Sequence, residues 1–307
     1  MHDYPLKLVT INDYNQCRQR DEKRKVLINF LYEFQLMFRR HCIVSMILET
    51  TDWVLFIDAD IGIVNPTRLI EEYVDTRYDI TFYDRFCSWE IAMGSYIVKS
   101  TPFSRDFLMK FAYFESRLPD SFHGSDNGAI HAYILETLAS ESRRDAQVCY
   151  SIWEQSTSYD DLFLFEACLR TILGSRRIFD KVRILSKGTG WVRDIWITRS
   201  QWSFDRDFML HGMKEADRSL LPDSFSSKFI IGILSEYFRS MFKSRFTWYP
   251  PIIKKLDMKK CSVGDVEWQY DMRLQVPRST VEEQLHELSR QVEKKRWRLL
   301  ARIKNHL

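Results

Sequence analysis

Apolar residues along this chain recur at two alternating spacings. Leu6-Lys7-Leu8-Val9-Thr10 reads as a short strand, and a polar, charged stretch runs from Asn12 to Lys25. Between residues 26 and 49, Val26, Phe30, Phe34, Met37, Phe38, Val44 and Leu48 keep helical spacing. That pattern predicts a helix with room for a break near His41. Trp53-Val54-Leu55-Phe56-Ile57 is apolar throughout, as a strand buried on both faces would be. Asn65-Pro66-Thr67 punctuates, and a helix is expected from Thr67 to Asp75. Residues 79–83 and 91–98 read as two more strands, followed by helices near 103–117, 128–139 and 159–173. Residues 177–186 read as one strand. Residues 187–212, dense in Gly, Trp and charge, read as a site-forming loop region ending in a short strand, Phe208-Met209-Leu210. A helix is expected over 226–244. Strands alternating with helices predict an α/β fold on a mixed, mainly parallel sheet flanked by helices.

The tail has a different pattern. Ser279-Thr280-Val281-Glu282-Glu283 has the spacing of a capping box, and Val281, Leu285, Leu288, Val292 and Leu299 mark one face beyond it. Residues 276–307 therefore read as a long, basic, amphipathic C-terminal helix, docked on the surface or held by a partner. Residues 1–275 read as the main domain.

Composition narrows the function classes. A formal net charge of +3 is too small to argue for nucleic acid as a partner. No apolar stretch is long enough to span a membrane, and the opening Met1-His2-Asp3-Tyr4-Pro5 lacks the plan of a signal peptide. The six cysteines form no C-x-x-C pair, which argues against a structural zinc. Their even number fits disulfides and reduced core thiols equally well.

The most informative segment follows the apolar run: Asp58-Ala59-Asp60, then Ile61-Gly62-Ile63-Val64-Asn65-Pro66. Carboxylates two apart at the end of a strand share a side, and unpaired charge is costly to bury. Hard oxygen ligands suit Mn²⁺ or Mg²⁺, with positions left for substrate phosphates. Such a metal assists departure of a nucleoside diphosphate. A solvated or arginine-paired couple is the plainer alternative. A haloacid-dehalogenase-like phosphatase is a distant one: that class wants Thr or Val two residues beyond the second Asp, where Gly62 stands here.

Further candidates stand elsewhere. In Phe122-His123-Gly124-Ser125-Asp126-Asn127-Gly128, Asp126 and Asn127 suit contact with sugar hydroxyls or an anomeric cation, or simply a helix cap. His211 suits a third metal ligand and Lys214 a phosphate contact. Trp191, Trp196 and Trp202, beside Arg193, Asp194 and Arg199, suit either a sugar-binding surface or a packed edge.

Four segments together resemble a known family: WVLFIDADIGIVNP (53–66), Gly94-Ser95-Tyr96-Ile97-Val98-Lys99 with Phe107-Leu108, SFHGSDNGAI (121–130) and WSFDRDFMLHGMK (202–214). They are similar to the nematode-expanded domain of unknown function 273. That family is itself similar to GT-A nucleotide-diphospho-sugar transferases of the galactomannan galactosyl/mannosyltransferase type. The resemblance spans roughly residues 3–275. It implies a Rossmann-like GT-A fold and a retaining hexosyltransferase that uses a UDP- or GDP-sugar donor and a glycan or glycoconjugate acceptor. It implies Mn²⁺ held by Asp60 with Asp58 and His211, and catalytic-loop contacts from Asp126 and Asn127. Donor contacts are expected from Asp58, Gly94, Ser95, Trp191, Arg193 and Lys214. It also implies the Golgi or secretory lumen, with membrane association only through an anchor absent from this sequence. Against the family pattern the opening strand is expected to be missing, so a binding pseudoenzyme is the alternative expectation.

Overall fold

A computed structural model describes residues 31–212 and 270–303. The expected strand at Leu6–Thr10 and helix over 226–244 lie outside the described residues. Those described fall into two units: 31–57, 71–190 and 294–303 in the first, and 58–70, 191–212 and 270–293 in the second.

The first unit is built on a five-stranded sheet in the order β1-β4-β3-β6-β5, with β1 Trp53–Ile57, β3 Ile80–Tyr83, β4 Ser95–Lys99, β5 Ile178–Phe179 and β6 Val182–Leu185. Only β3 and β6 pair in parallel; β1–β4, β3–β4 and β5–β6 are antiparallel. The sheet is mixed as expected, but its pairings are mainly antiparallel rather than mainly parallel. Helical crossovers impose parallel pairing, but no helix lies between β3 and β4. The chain instead doubles back through residues 84–94, where Asp84 bridges Ile91. The single strand expected at 177–186 is likewise a tight β5–β6 hairpin, turning at Asp180 with φ 51°. β1 is half-buried throughout rather than buried on both faces, because it stands at the edge of the described sheet.

Five helices belong to this unit: α1 Leu31–Ile47, α2 Pro102–Tyr113, α3 Ser125–Leu138, α4 Gln147–Glu154 and α5 Tyr159–Ile172. α1 runs unbroken through His41. α2 starts on a Thr101/Ser104 capping box with Pro102 at its first turn, a pre-organised start that satisfies otherwise orphaned amides. α5 is capped by Ser158, with Asp160 and Asp161 in the first turn, the end where negative charge is favourable. The expected helix from Thr67 to Asp75 is only a 3₁₀ turn at Ile70–Tyr73. Upstream, Asn65 Oδ1 accepts from both the amide and the hydroxyl of Thr67, a turn that competes with helix formation. The core is aromatic: Tyr133 packs on Phe107, Phe111 and Phe114 at 4.9, 5.1 and 5.6 Å. α4 and α5 are joined by a Cys149–Cys168 disulfide and by Trp153 stacked on Phe165 at 4.6 Å.

The second unit holds a three-stranded sheet in the order β2-β8-β7: β2 Ile61–Ile63, β7 Val192–Asp194 and β8 Met209–His211. β8 is central, antiparallel to β2 and parallel to β7. The last helix, α6 Arg278–Ile303, begins one residue before Ser279, so the capping-box spacing is not used. All five residues of its expected apolar face are buried. Residues of α6 up to Glu293 count with the second unit and those from Lys294 with the first. Within the first unit, Lys295 and Arg302 pair with Asp160 and Asp161 of α5. No described helix is long and apolar enough to cross a membrane.

One buried group predicts an unusual pH response. Glu166 of α5 is fully buried and neither carboxyl oxygen has a hydrogen-bond partner. Burial, reinforced by the Glu90 carboxylate, pushes its pKa well above the ordinary acid range. The unfolded chain then holds fewer protons than the folded one between the ordinary value and the raised one. Stability falls with rising pH across that window. Glu166→Gln removes this penalty while keeping the shape. The variant's melting temperature is therefore expected to match the wild type near pH 4 and to exceed it progressively towards pH 8. Parallel melting curves at every pH would refute this account.

Candidate functional site

Asp58 and Asp60 follow β1 in a turn rather than continuing the strand, and the turn closes with Ile61 N–H donating to Asp58 O at 3.0 Å. β2 starts at Ile61, and its register with β8 sets Ile61 opposite His211. Gly212 N–H then donates to Asp60 O at 2.9 Å. This pairing brings distant parts of the sequence together: one ligand atom from each of Asp58, Asp60 and His211 lies within 4.8 Å of the other two. His211 Nε2 is 3.4 Å from Asp60 Oδ1. Gly212 has φ 104°, and a Cβ there would come within 2.8 Å of the Trp196 ring. A side chain is excluded at that position on both counts.

The imidazole is held from its other side. β7 pairs in parallel with β8 so that Asp194 stands beside His211, and Asp194 Oδ1 is 2.8 Å from His211 Nδ1. Asp194 is buried, and the Trp196 ring meets the imidazole edge-on at 5.3 Å between centroids. An ionised carboxylate only accepts hydrogen bonds, so Nδ1 carries the hydrogen. In the neutral ring Nε2 then has its lone pair on the side of the Asp60 oxygen, 3.4 Å away. Such a pair of acceptors favours a positive charge between them, from a cation or a second proton. Two carboxylates and an imidazole form a donor set suited to a divalent ion such as Mn²⁺.

Most of the other expected site residues that are described make internal contacts. Arg193 is buried. Its Nε and Nη2 fork onto Asp207 at 2.8 and 2.7 Å, Nη1 donates to Thr198 Oγ1 and Asp194 O, and Nη2 also donates to Gln201 O. A guanidinium has five N–H groups, and these bonds use them all. Arg193, expected to contact the donor, is thus engaged here as an internal clamp. Trp191 is 1% exposed and offers no face for stacking; Trp196 and Trp202 are buried as well. Ser95 is wholly buried and its hydroxyl donates to Phe56 O at 2.8 Å, while Gly94 is half-buried at the entry to β4.

Asp126, expected to touch sugar, is 1% exposed. Its Oδ2 accepts from Arg40 Nε and Nη2 at 3.0 and 2.5 Å and lies 2.9 Å from His41 Nε2. His41 Nδ1 is 3.0 Å from the Tyr96 hydroxyl. Burial lowers the His41 pKa despite Asp126. The neutral ring thus donates to Asp126 through Nε2 and accepts from Tyr96 through Nδ1. Asn127 is half-buried and its Oδ1 accepts from Met93 N–H at 3.0 Å. The helix cap offered as the plainer reading falls to neither: Gly124 is the N-cap of α3. Lys214 lies outside the described residues.

These features define a mixed α/β protein carrying a candidate Asp-Asp-His cation site in its smaller sheet. The chain belongs to the family described as protein of unknown function, DUF273, whose sequence model matches residues 1–226. No curated protein and no solved structure matches the chain.

Proposed function

We propose that this protein is a metal-dependent glycosyltransferase of GT-A type, using a UDP- or GDP-sugar and a glycan or glycoconjugate hydroxyl, with retention at the anomeric carbon. The observation that carries the reading is the convergence of Asp58, Asp60 and His211. Mn²⁺ or Mg²⁺ held there would neutralise charge developing on a departing nucleoside diphosphate. The resemblance of the Asp58-Ala59-Asp60 and His211 segments to donor-metal motifs supports the same assignment. A secretory, Golgi-type location belongs to this proposal. The Cys149–Cys168 disulfide is in keeping with it, since such bonds persist in oxidising compartments.

A second reading is a nucleotide- or sugar-binding pseudoenzyme. It is favoured by the internal commitments of Asp126, Trp191 and Arg193, which leave the expected sugar contacts buried. Thermal shift with UDP and with GDP, each with and without Mn²⁺, tests the donor site beside Asp60→Ala. The expected result is a metal-dependent stabilisation by one nucleotide, about 2.7 kcal/mol at a hundredfold excess over Kd, absent in the variant. Mn²⁺-dependent release of sugar from that donor would then select the enzyme over the binding protein. No shift with either nucleotide would sink the donor-site reading. Hydrolysis of a generic phosphate monoester would instead favour a phosphatase.

A further inference from the structure

We infer that Asp194 is the positioning residue of this site: it fixes His211 in the tautomer and ring orientation that aim an Nε2 lone pair at Asp60. The inference rests on the cation site proposed above. It goes beyond the three residues that would touch the ion.

The strand pairing, a side-chain contact and a ring contact together hold the imidazole. The β7–β8 register sets Asp194 beside His211. Their side chains meet through Nδ1 and Oδ1 at 2.8 Å. The backbone of the same residue is fixed too, because Ile195 N–H donates to His211 O at 3.0 Å. Asp194 is 5% exposed, so water competes poorly for its carboxylate. Neutral histidine exists as two tautomers of similar energy, and only the Nδ1–H form leaves Nε2 free to coordinate. A carboxylate on Nδ1 selects that form and raises the basicity of the ligating nitrogen. The Trp196 ring packs edge-on against the imidazole at 5.3 Å between centroids. Asp194 thus acts through His211 without touching the ion itself.

Asp194→Asn is the informative variant, since it preserves size and can still hydrogen-bond. Its amide can turn its NH₂ towards Nδ1, however, which stabilises the Nε2–H tautomer that cannot coordinate. The expected result is a Mn²⁺ affinity, followed by electron paramagnetic resonance titration, weakened about 10- to 100-fold. The melting temperature should stay close to wild type. Nitrogen-15 NMR of the imidazoles, with His211 assigned by His211→Gln, should show Nδ1–H in the wild-type protein without metal and loss of that form in Asp194→Asn. A wild-type His211 in the Nε2–H form, or unchanged tautomer and Mn²⁺ affinity in the variant, would overturn the inference. Nδ1–H in the wild type without Mn²⁺ binding would overturn the cation site, and the inference with it as far as metal is concerned. The tautomer signal separates that failure from a failure of Asp194 to orient the ring.

Discussion

Asp126→Ala is expected to destabilise the first unit by about 3–5 kcal/mol, the usual cost of leaving a buried charge without its partner. The substitution removes a carboxylate partner of the Arg40 guanidinium, which is only 13% exposed, and of the fully buried His41. Burial alone would raise the Asp126 pKa. The Arg40 charge and the hydrogen bonds from His41 and Arg40 outweigh that and hold it below the ordinary carboxylate range. A depressed folded value contributes stability that is complete above the unfolded value of about 3.9 and is lost as pH falls through the folded one. Denaturant titrations of wild type and variant should therefore differ fully at neutral pH and converge in strong acid. A variant of unchanged stability that has lost only activity would restore Asp126 to the role expected from the sequence and sink the structural one.

Arg193→Ala is expected to cost a similar amount, about 3–5 kcal/mol, in the second unit. The Asp207 carboxylate it serves is 3% exposed and keeps only the Ser203 amide and Arg206 once the fork is gone. Arg193→Lys should recover little, because an ammonium cannot reproduce a planar bidentate fork. The same clamp ties β7 to the 198–207 loop through Thr198, Gln201 and Asp207. Loosening it should also blunt the cation site beside it. The discriminating measurement is chemical denaturation with a nucleotide-binding assay on the same samples. Normal stability with lost nucleotide binding would mean that Arg193 is a ligand-contacting group after all.

Asp126 and Arg193 mark the limit of what was legible in the sequence. Asp58, Asp60 and His211 could be named in advance because two carboxylates directly after an apolar run, and a histidine ending another, are local patterns with a chemical reason behind them. The structure brings those three together. Asp126, Arg193 and Trp191 are equally polar or aromatic in the sequence. Whether such a side chain faces a ligand or a neighbour depends on partners far along the chain: Arg40 and His41 for Asp126, and Asp207 for Arg193. Asp194 was read only as part of a Trp-rich stretch suited to a sugar-binding surface or a packed edge, because nothing local reveals a parallel pairing with His211. The apolar face of α6 was legible to the residue, since helical period alone specifies it. Strand direction was not, because it depends on whether residues 84–94 cross over or double back.

The pairing of Ile61 with His211 also bears on how the protein is made. A ribosome delivers roughly 5–20 residues per second. The Asp58-Ala59-Asp60 turn therefore leaves it about 8–30 s before His211 can join it, by the same rate. Throughout that interval β2 lacks its only described neighbour, and two carboxylates wait without their imidazole. The cluster of Asp58, Asp60 and His211 is thus complete only late in biosynthesis.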